Sequence, residues 1–355
     1  MYPPVEVSYY KDFYRGISLM KLAIIGTGKI VHEALFAIEE LSEIEKVAIF
    51  ARSHSKEKAD ELASQYGIKE VYTDYGKLLA DSACDTVYIG LVNSAHYPYS
   101  KEALLAGKNV ILEKPFTDTL EQALELKTIA EKKGLFLLEA ITVLHNPVFD
   151  RAKEALVELG PKKMFMANYS QYSSRYDDYK NGVVAPAFDP ALGGGALGDI
   201  NVYNIHYAVA LFGMPNQVKY YPNRGFNGVD TSGMLILSYD GFSAMCTGAK
   251  DSDSPSFVSI QGEDGYMTVN GKPNSSDSLT IVSMKSTGDT TLDAAGSVKR
   301  QVHEEKFTKP EMRHRMTQEF IDFAEIIDSK NSDKAKELLE ESIMVVEVLE
   351  KARQE

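Results

Sequence analysis

The chain of 355 residues predicts an α/β half followed by an α+β half: a doubly wound parallel sheet, then a domain built on a mainly antiparallel sheet. Three observations carry this expectation. Short, almost wholly apolar segments alternate with helical patterns from Lys21 to about Leu138, the rhythm of repeated βα units. A glycine pair, Gly26 and Gly28, falls between the first strand and the first helix, as in Rossmann-type nucleotide domains. Beyond about Leu159 the apolar runs give way to longer, more polar strands.

Along the chain, residues 1–19 show no sustained periodicity and Met20 stands directly before the first strand. This stretch reads as a leader outside the fold, with Met20 a candidate natural start. Leu22–Ile25, Val47–Phe50, Thr86–Ile89, Val110–Leu112 and Phe136–Leu138 are almost wholly apolar, as strands are when helices cover both sheet faces. The first helix carries Ile30, Ala34, Leu35, Ile38 and Leu41, a spacing near 3.6 that buries one stripe. In the second half, Met164–Tyr172, Met234–Tyr239 and Phe242–Thr247 read as strands. The Tyr239-Asp240-Gly241 turn predicts antiparallel pairing of the last two. A helix is expected over Ile200–Leu211, and helical spacing returns at Met316, Phe320, Phe323 and Ile327, then Leu339, Ile343 and Val346. The expected domains are 20–140 for nucleotide binding and 141–355 for substrate binding and oligomerisation, the last helices packing back on the first domain.

Composition narrows the function classes. With 44% hydrophobic and 25% charged residues, the chain has the balance of a globular protein. A formal net charge of -13 repels nucleic acid and anionic membrane, so neither is expected as a partner. Cys84 and Cys246 form no zinc spacing and no disulfide framework, so no metal is expected and reducing cytoplasm is the expected compartment. No apolar run approaches the roughly 18 residues that span a bilayer, and no HExxH, GxSxG or Walker A motif occurs.

The run Ile25-Gly26-Thr27-Gly28-Lys29-Ile30-Val31 places backbone N–H groups and a helix N-terminus where a pyrophosphate can bind. Val31 occupies the third position of the glycine fingerprint and leaves strand and helix less room to approach. After the second strand an NAD site carries Asp or Glu for the ribose hydroxyls. Here the stretch is Ala51-Arg52-Ser53-His54-Ser55-Lys56, whose cations and hydroxyls suit the 2′-phosphate of NADP. NADP is therefore the expected cofactor, with NAD the alternative. The competing reading of Arg52 and Lys56 is a pair of solvated charges at a helix start.

Two further segments carry a resemblance. Ala106-Gly107-Lys108-Asn109-Val110-Ile111-Leu112-Glu113-Lys114-Pro115 and Phe188-Asp189-Pro190-Ala191-Leu192-Gly193-Gly194-Gly195-Ala196-Leu197-Gly198-Asp199-Ile200-Asn201-Val202-Tyr203 resemble the EKP and GGGxLxD motifs of the glucose-fructose oxidoreductase, inositol dehydrogenase and rhizopine-catabolism (Gfo/Idh/MocA) family. Asn93 to His96 and Glu139-Ala140 fit the same pattern, so the resemblance runs from Met20 to the end. It implies a sugar or cyclic polyol substrate, self-association through the open face of the second sheet as a dimer or higher oligomer, and a cis Lys114-Pro115 bond. Cofactor contacts are expected from Gly26, Thr27, Gly28, Lys29, Ile30, Arg52, Ser53, Asn93, His96, Glu113 and Lys114. Tyr203 stands where many members carry His, as in the branch of glucose-fructose oxidoreductase, dimeric dihydrodiol dehydrogenase and D-xylose dehydrogenase; Asn201 and His206 are further departures.

The residues themselves supply the reaction type. Hydride transfer from an alcohol needs a nicotinamide and a protein group that moves the hydroxyl proton. Lys114 ends the fifth strand, where the ligand crevice of an open α/β sheet lies. Asp199 and Tyr203 are four apart and share a helix face. An ammonium beside a tyrosine stabilises its tyrosinate, so Tyr203 is expected to exchange the proton. Lys114 would assist it and hydrogen-bond the reacting oxygen, and Asp199 would orient Lys114 or a substrate hydroxyl. Lys114 as acid/base is the other division. Asp199 is also a natural helix N-cap, and a tyrosine such as Tyr203 is more often a core residue than a catalytic one; the coincidence with Lys114 reverses that preference. The expected function is an NADP-preferring oxidoreductase of a sugar or cyclic polyol. A dihydrodiol or small dicarbonyl substrate, which the tyrosines around Tyr169, Tyr172 and Tyr176 permit without requiring, and a cofactor-binding regulator without turnover are the alternatives.

Overall fold

The computed structural model describes residues 19–288, 291, 292, 296, 298 and 300–354; the expected leader, up to residue 18, lies outside them. The first sheet has six parallel strands: β1 (Met20–Ile25), β2 (Ile44–Phe50), β3 (Glu70–Tyr72), β4 (Thr86–Ile89), β5 (Asn109–Glu113) and β6 (Leu137–Ala140). Their spatial order is β3-β2-β1-β4-β5-β6, so the chain reverses direction across the sheet between β1 and β4, the switch point where such sheets bind ligands. Five helices connect the strands: α1 (Lys29–Ile38), α2 (Lys56–Tyr66), α3 (Tyr75–Asp81), α4 (His96–Leu105) and α5 (Leu120–Lys133). The expected strands are all present with shifted ends. β2 begins at Ile44, and the last runs Leu137–Ala140 instead of Phe136–Leu138. β3 escaped the sequence reading because three half-polar residues at a sheet edge make no apolar run.

The second half adds α6 (Pro147–Ala155), β7 (Lys162–Ser170), α7 (Tyr176–Lys180), α8 (Val202–Phe212), β8 (Gln217–Arg224), β9 (Asp230–Tyr239), β10 (Phe242–Ala249), β11 (Phe257–Gly262), β12 (Gly265–Asn270), β13 (Ser278–Ser286) and β14 (Arg300–Thr308). These strands form an eight-stranded sheet, β14-β13-β12-β11-β7-β10-β9-β8. Every pair is antiparallel except β7 with β10. The Tyr239-Asp240-Gly241 turn closes the expected hairpin, with Phe242 paired to Tyr239.

One face of this sheet is buried. Phe165, Ala167, Leu235, Leu237, Ala244 and Cys246 pack against Ile205, Tyr207, Ala208 and Val209 of α8. The final helices, α9 (Thr317–Asp328) and α10 (Ser332–Gln354), tie the halves together. Phe320 and Phe323 of α9 join Leu22, Ile24 and Tyr88 in a core on the parallel sheet. On α10, Val345 and Val348 face the core of the second sheet, while Leu339 and Val346 face the core of the first. The outer face of the eight-stranded sheet is uncovered and exposes Met164, Tyr221, Met234 and Tyr266. Among the described residues, no helix is long and apolar enough to cross a membrane.

Candidate active site

The glycine turn sits at the switch point. Gly26 adopts φ 120°, and a Cβ there would lie 2.6 Å from the Gly90 carbonyl oxygen, so only glycine fits. Gly28 precedes α1 with open space where a Cβ would point, and no side chain caps the first N–H groups of the helix. Donors and room for a phosphate therefore coincide. The bulk of Val31 is absorbed on the other side of the turn: its Cγ2 occupies the position 2.8 Å from where a Cβ of Gly90 would be. The glycine absent from the helix is thus supplied by the neighbouring strand end.

The Gly26 N–H donates to the Phe50 carbonyl at 2.9 Å, bringing the end of β2 beside the turn. Arg52 is exposed there, and among the described residues no carboxylate lies within ion-pair distance of it. Ser53 opens a single 3₁₀ turn. An open glycine cradle, an uncapped helix and an uncommitted guanidinium fit a dinucleotide carrying a 2′-phosphate.

Across the crevice lies the end of β5. Lys114 follows it, joined to Pro115 by a cis bond, and its ammonium donates to Asp199 Oδ1 at 3.0 Å and to the Asp199 carbonyl at 2.8 Å. Asp199 reaches this position because the glycines let the backbone fold tightly. A Cβ on Gly194 would lie 2.6 Å from the Pro186 carbonyl oxygen, and one on Gly195 would strike Asp230 Oδ1 at 2.0 Å. The chain then makes a wide π turn over Leu197–Asn201 before α8 starts at Val202. Such turns re-aim side chains at functional sites. Asp199 is accordingly not an N-cap. Its second oxygen accepts from Lys250 at 2.6 Å. Tyr203, in the first turn of α8, places its ring 5.0 Å below the Lys114 ammonium and 5.7 Å from the ring of Tyr169.

Electrostatics sharpen the division of roles. Burial works against the Lys114 ammonium, but Tyr203 and Asp199 outweigh it and hold the group well above the ordinary lysine range. Burial likewise opposes the Asp199 carboxylate, yet Lys114 and Lys250 hold it well below the usual carboxylate range. Glu113, buried behind them, is pushed up by burial, and its Oε1 accepts from the Tyr88 hydroxyl at 2.7 Å. At neutral pH Lys114 is held as an ammonium against the Asp199 carboxylate, with Lys250 on the second carboxylate oxygen and the Tyr203 ring alongside.

These groups line one cleft of about 510 Å³. Of the residues expected from sequence, Lys29, Ile30, Asn93, Glu113, Lys114, Asp199 and Tyr203 meet there. Asn93 also crosses between the halves, donating to the Gly193 carbonyl at 2.8 Å. Thr27, Arg52 and Ser53 lie at the glycine turn and the β2 end, outside that cleft. His96 does not face it. The ring is fully buried, with Nδ1 at 2.9 Å from the Pro115 carbonyl oxygen and Nε2 at 3.2 Å from that of Leu91. Both nitrogens are engaged with backbone, so this histidine braces the β4 and β5 ends. Tyr169 of β7 lines the cleft, and so do Lys250, Arg315 and Asn274, three residues the sequence does not single out because each follows a strand or sits in a loop where no motif marks it. Arg315 is held by Glu33 of α1 at 2.6 Å.

Lysine, aspartate and tyrosine can bind, orient and move protons, but none carries a hydride; the nucleotide turn provides the place for a group that does. That division of labour belongs to nicotinamide-dependent oxidoreductases. Residues 20–140 match the oxidoreductase family with NAD-binding Rossmann fold (GFO_IDH_MocA), and 150–268 match the GFO/IDH/MocA C-terminal domain. The chain is 37% identical over 251 residues to scyllo-inositol 2-dehydrogenase (NADP(+)) of Bacillus subtilis, covering 71% of this chain and 76% of that protein. It is 29% identical to D-xylose 1-dehydrogenase (NADP(+)) 2 of Haloferax volcanii, covering 80% and 87%. A 3-ketoreductase from Actinomadura kijaniata, crystallised with NADP and TDP-benzene, superposes with a TM-score of 0.79 at 24% identity over 95% of this chain and 98% of that one. This chain belongs to the Gfo/Idh/MocA family of oxidoreductases.

Proposed function

We propose that the protein is an NADP-preferring dehydrogenase or reductase acting on a hydroxyl or carbonyl of a sugar or cyclic polyol. The observation that carries this reading is the Lys114–Asp199–Tyr203 set gathered opposite the glycine turn in one cleft. NADP, when bound, supplies the hydride acceptor or donor. Gly26, Thr27, Gly28, Lys29 and Ile30 would hold its pyrophosphate half, Arg52 and Ser53 its 2′-phosphate, and Asn93, Glu113 and Lys114 the inner end. Residues 20–140 form the nucleotide half and 141–355 the substrate and assembly half.

Within the site, Asp199 directs Lys114, whose ammonium has three N–H donors and makes two hydrogen bonds to Asp199. The remaining N–H is available to the reacting oxygen, where it stabilises developing negative charge. Tyr203 moves the hydroxyl proton. Lys114 is held as an ammonium and so is poorly suited to take that proton at neutral pH. The set of proton-moving groups favours turnover over a regulator that only binds nucleotide.

A screen of aldoses, inositols and aromatic dihydrodiols with NADP(+), followed by nucleotide fluorescence, tests this reading. Turnover on a cyclic polyol or aldose supports it, turnover on dihydrodiols alone shifts the substrate class, and nucleotide binding without turnover on any of them overturns it. Arg52→Ala is expected to weaken NADPH binding about tenfold to a hundredfold, the worth of a charge-assisted hydrogen bond, and to leave NADH binding unchanged in the same titration.

The protein is further proposed to be a homodimer, or a higher oligomer, of the cytoplasm. Tyr221, 56% exposed, pairs with exposed Met234 on the outer face of the second sheet. With Met164 and Tyr266 they make an apolar surface of the kind that isologous partners cover. Cys84 and Cys246 are buried free thiols, which suits a reducing compartment. Light scattering is expected to report a dimer for the native chain and a monomer for Tyr221→Glu/Met234→Glu; a monomeric native chain refutes the assembly.

A further inference from the structure

Lys250 follows β10 and is 3% exposed. Its backbone is fixed on two sides, the N–H donating to the Thr231 carbonyl at 2.8 Å and the carbonyl accepting from Ser173 at 2.9 Å. Its ammonium donates to Asp199 Oδ2 at 2.6 Å and to the Ala187 carbonyl at 2.7 Å, and lies 4.6 Å over the ring of Phe188. Desolvating an ammonium is costly, and an apolar side chain would fill the same space without that cost. The charge therefore serves its partners.

Those partners are of two kinds. Asp199 is the carboxylate that directs Lys114, and the two lysines take separate oxygens of it. Ala187 belongs to the segment between α7 and the glycine run, where Pro186, Ala187 and Leu192 wall the cleft. One ammonium thus joins the catalytic carboxylate to the wall beside the substrate space.

We propose that Lys250 is a positioning residue that holds the Asp199 carboxylate in one orientation and latches the 185–190 wall to it, so that the free N–H of Lys114 is aimed from the sheet domain. The proposal rests on the reading of Lys114 and Asp199 given above. The charged or titratable groups facing this cluster are Lys114 and Glu113 from the β5 end, Tyr203 from α8, Asp230 from β9 and, beside Tyr203 in the same cleft, Arg315. Lys114 and Lys250 are the cations that offset the charge of Asp199. Removing one leaves the carboxyl easier to protonate.

Lys250→Met keeps length and removes charge, and Lys250→Arg keeps charge. In Lys250→Met, kcat is expected to fall about tenfold to a hundredfold, as when a reacting group is misaimed. NADPH affinity should stay within about twofold, because no nucleotide contact is touched. The acid limb of the kcat/KM profile should move to higher pH, and Lys250→Arg should recover part of both effects. Hydrogen–deuterium exchange reads the latch without substrate: amides of 185–190 should exchange faster in Lys250→Met than in the native chain, the rest of the protein remaining unchanged. Native-like exchange at 185–190 together with a native acid limb overturns the proposal, as does a uniform rise in exchange with lost NADPH binding, which marks a fold defect. Should the native enzyme turn over none of the polyols, the functional reading fails, and the exchange experiment alone decides the latch.

Discussion

Tyr203→Phe is expected to lower kcat by about a hundredfold to a thousandfold, within the range that a positioned general acid or base contributes, and to leave NADPH binding as it was. The substitution removes one hydroxyl. The ring that lies under the Lys114 ammonium and beside Tyr169 stays in place, and a phenylalanine fills the same buried volume. A thermal melt near that of the native protein is part of the expected result, so the loss is read as chemistry. The alternative division of roles, with Lys114 as the acid/base, predicts nearly unchanged turnover for Tyr203→Phe. Steady-state rates on a confirmed substrate separate the two. The electrostatics of the site favour the first, because Tyr203 and Asp199 together hold Lys114 protonated against the cost of its burial.

His206→Leu is expected to cost about 3–5 kcal/mol of stability, the penalty for stranding a buried charge. His206 lies one turn beyond Tyr203 on α8 and is fully buried. Its Nδ1 is 2.9 Å from Glu341 of α10, and its Nε2 is 3.5 Å from Glu139 at the end of β6. Burial works against the imidazolium, but the two carboxylates outweigh it and push the group up to about 10. The direction at Glu341 is also upward, because burial exceeds the help from His206. The histidine decides the neutral range, since both of its ring nitrogens face carboxylates. A folded-state value above the ordinary one of about 6.5 means stability that is fully present below about 6.5 and is lost as pH rises through about 10. Denaturant unfolding across that window should therefore show native stability declining toward pH 10 and a flatter profile in His206→Leu. Equal slopes in the two proteins would remove the imidazolium from the account.

Much of the site is visible along the chain because its parts are local. The strand, glycine turn and helix from Ile25 to Val31 are contiguous, and their chemistry follows from backbone geometry alone. Lys114 is tied to its strand end by sequence position, and Asp199 and Tyr203 to one another by helical spacing. The pairing of Lys114 with Asp199, 85 residues later, was legible only through the two motifs taken together. His96 shows the limit of a motif: a histidine in the right segment packs its ring between the backbone carbonyls of Leu91 and Pro115, where its N–H serves one of them.

Residue order and hydrophobic period determined most strands of the parallel sheet, the β9–β10 hairpin, the nucleotide turn and the helix that follows it, since each depends on neighbours a few residues away. The parallel pairing of β7 with β10, the π turn that carries Asp199, the second lysine on that carboxylate and the buried Glu139–His206–Glu341 triad were decided by the tertiary structure. They depend on where a side chain far along the chain comes to rest. No local period records that, because burial and charge pairing act through space and take whichever donor the packed elements bring within reach.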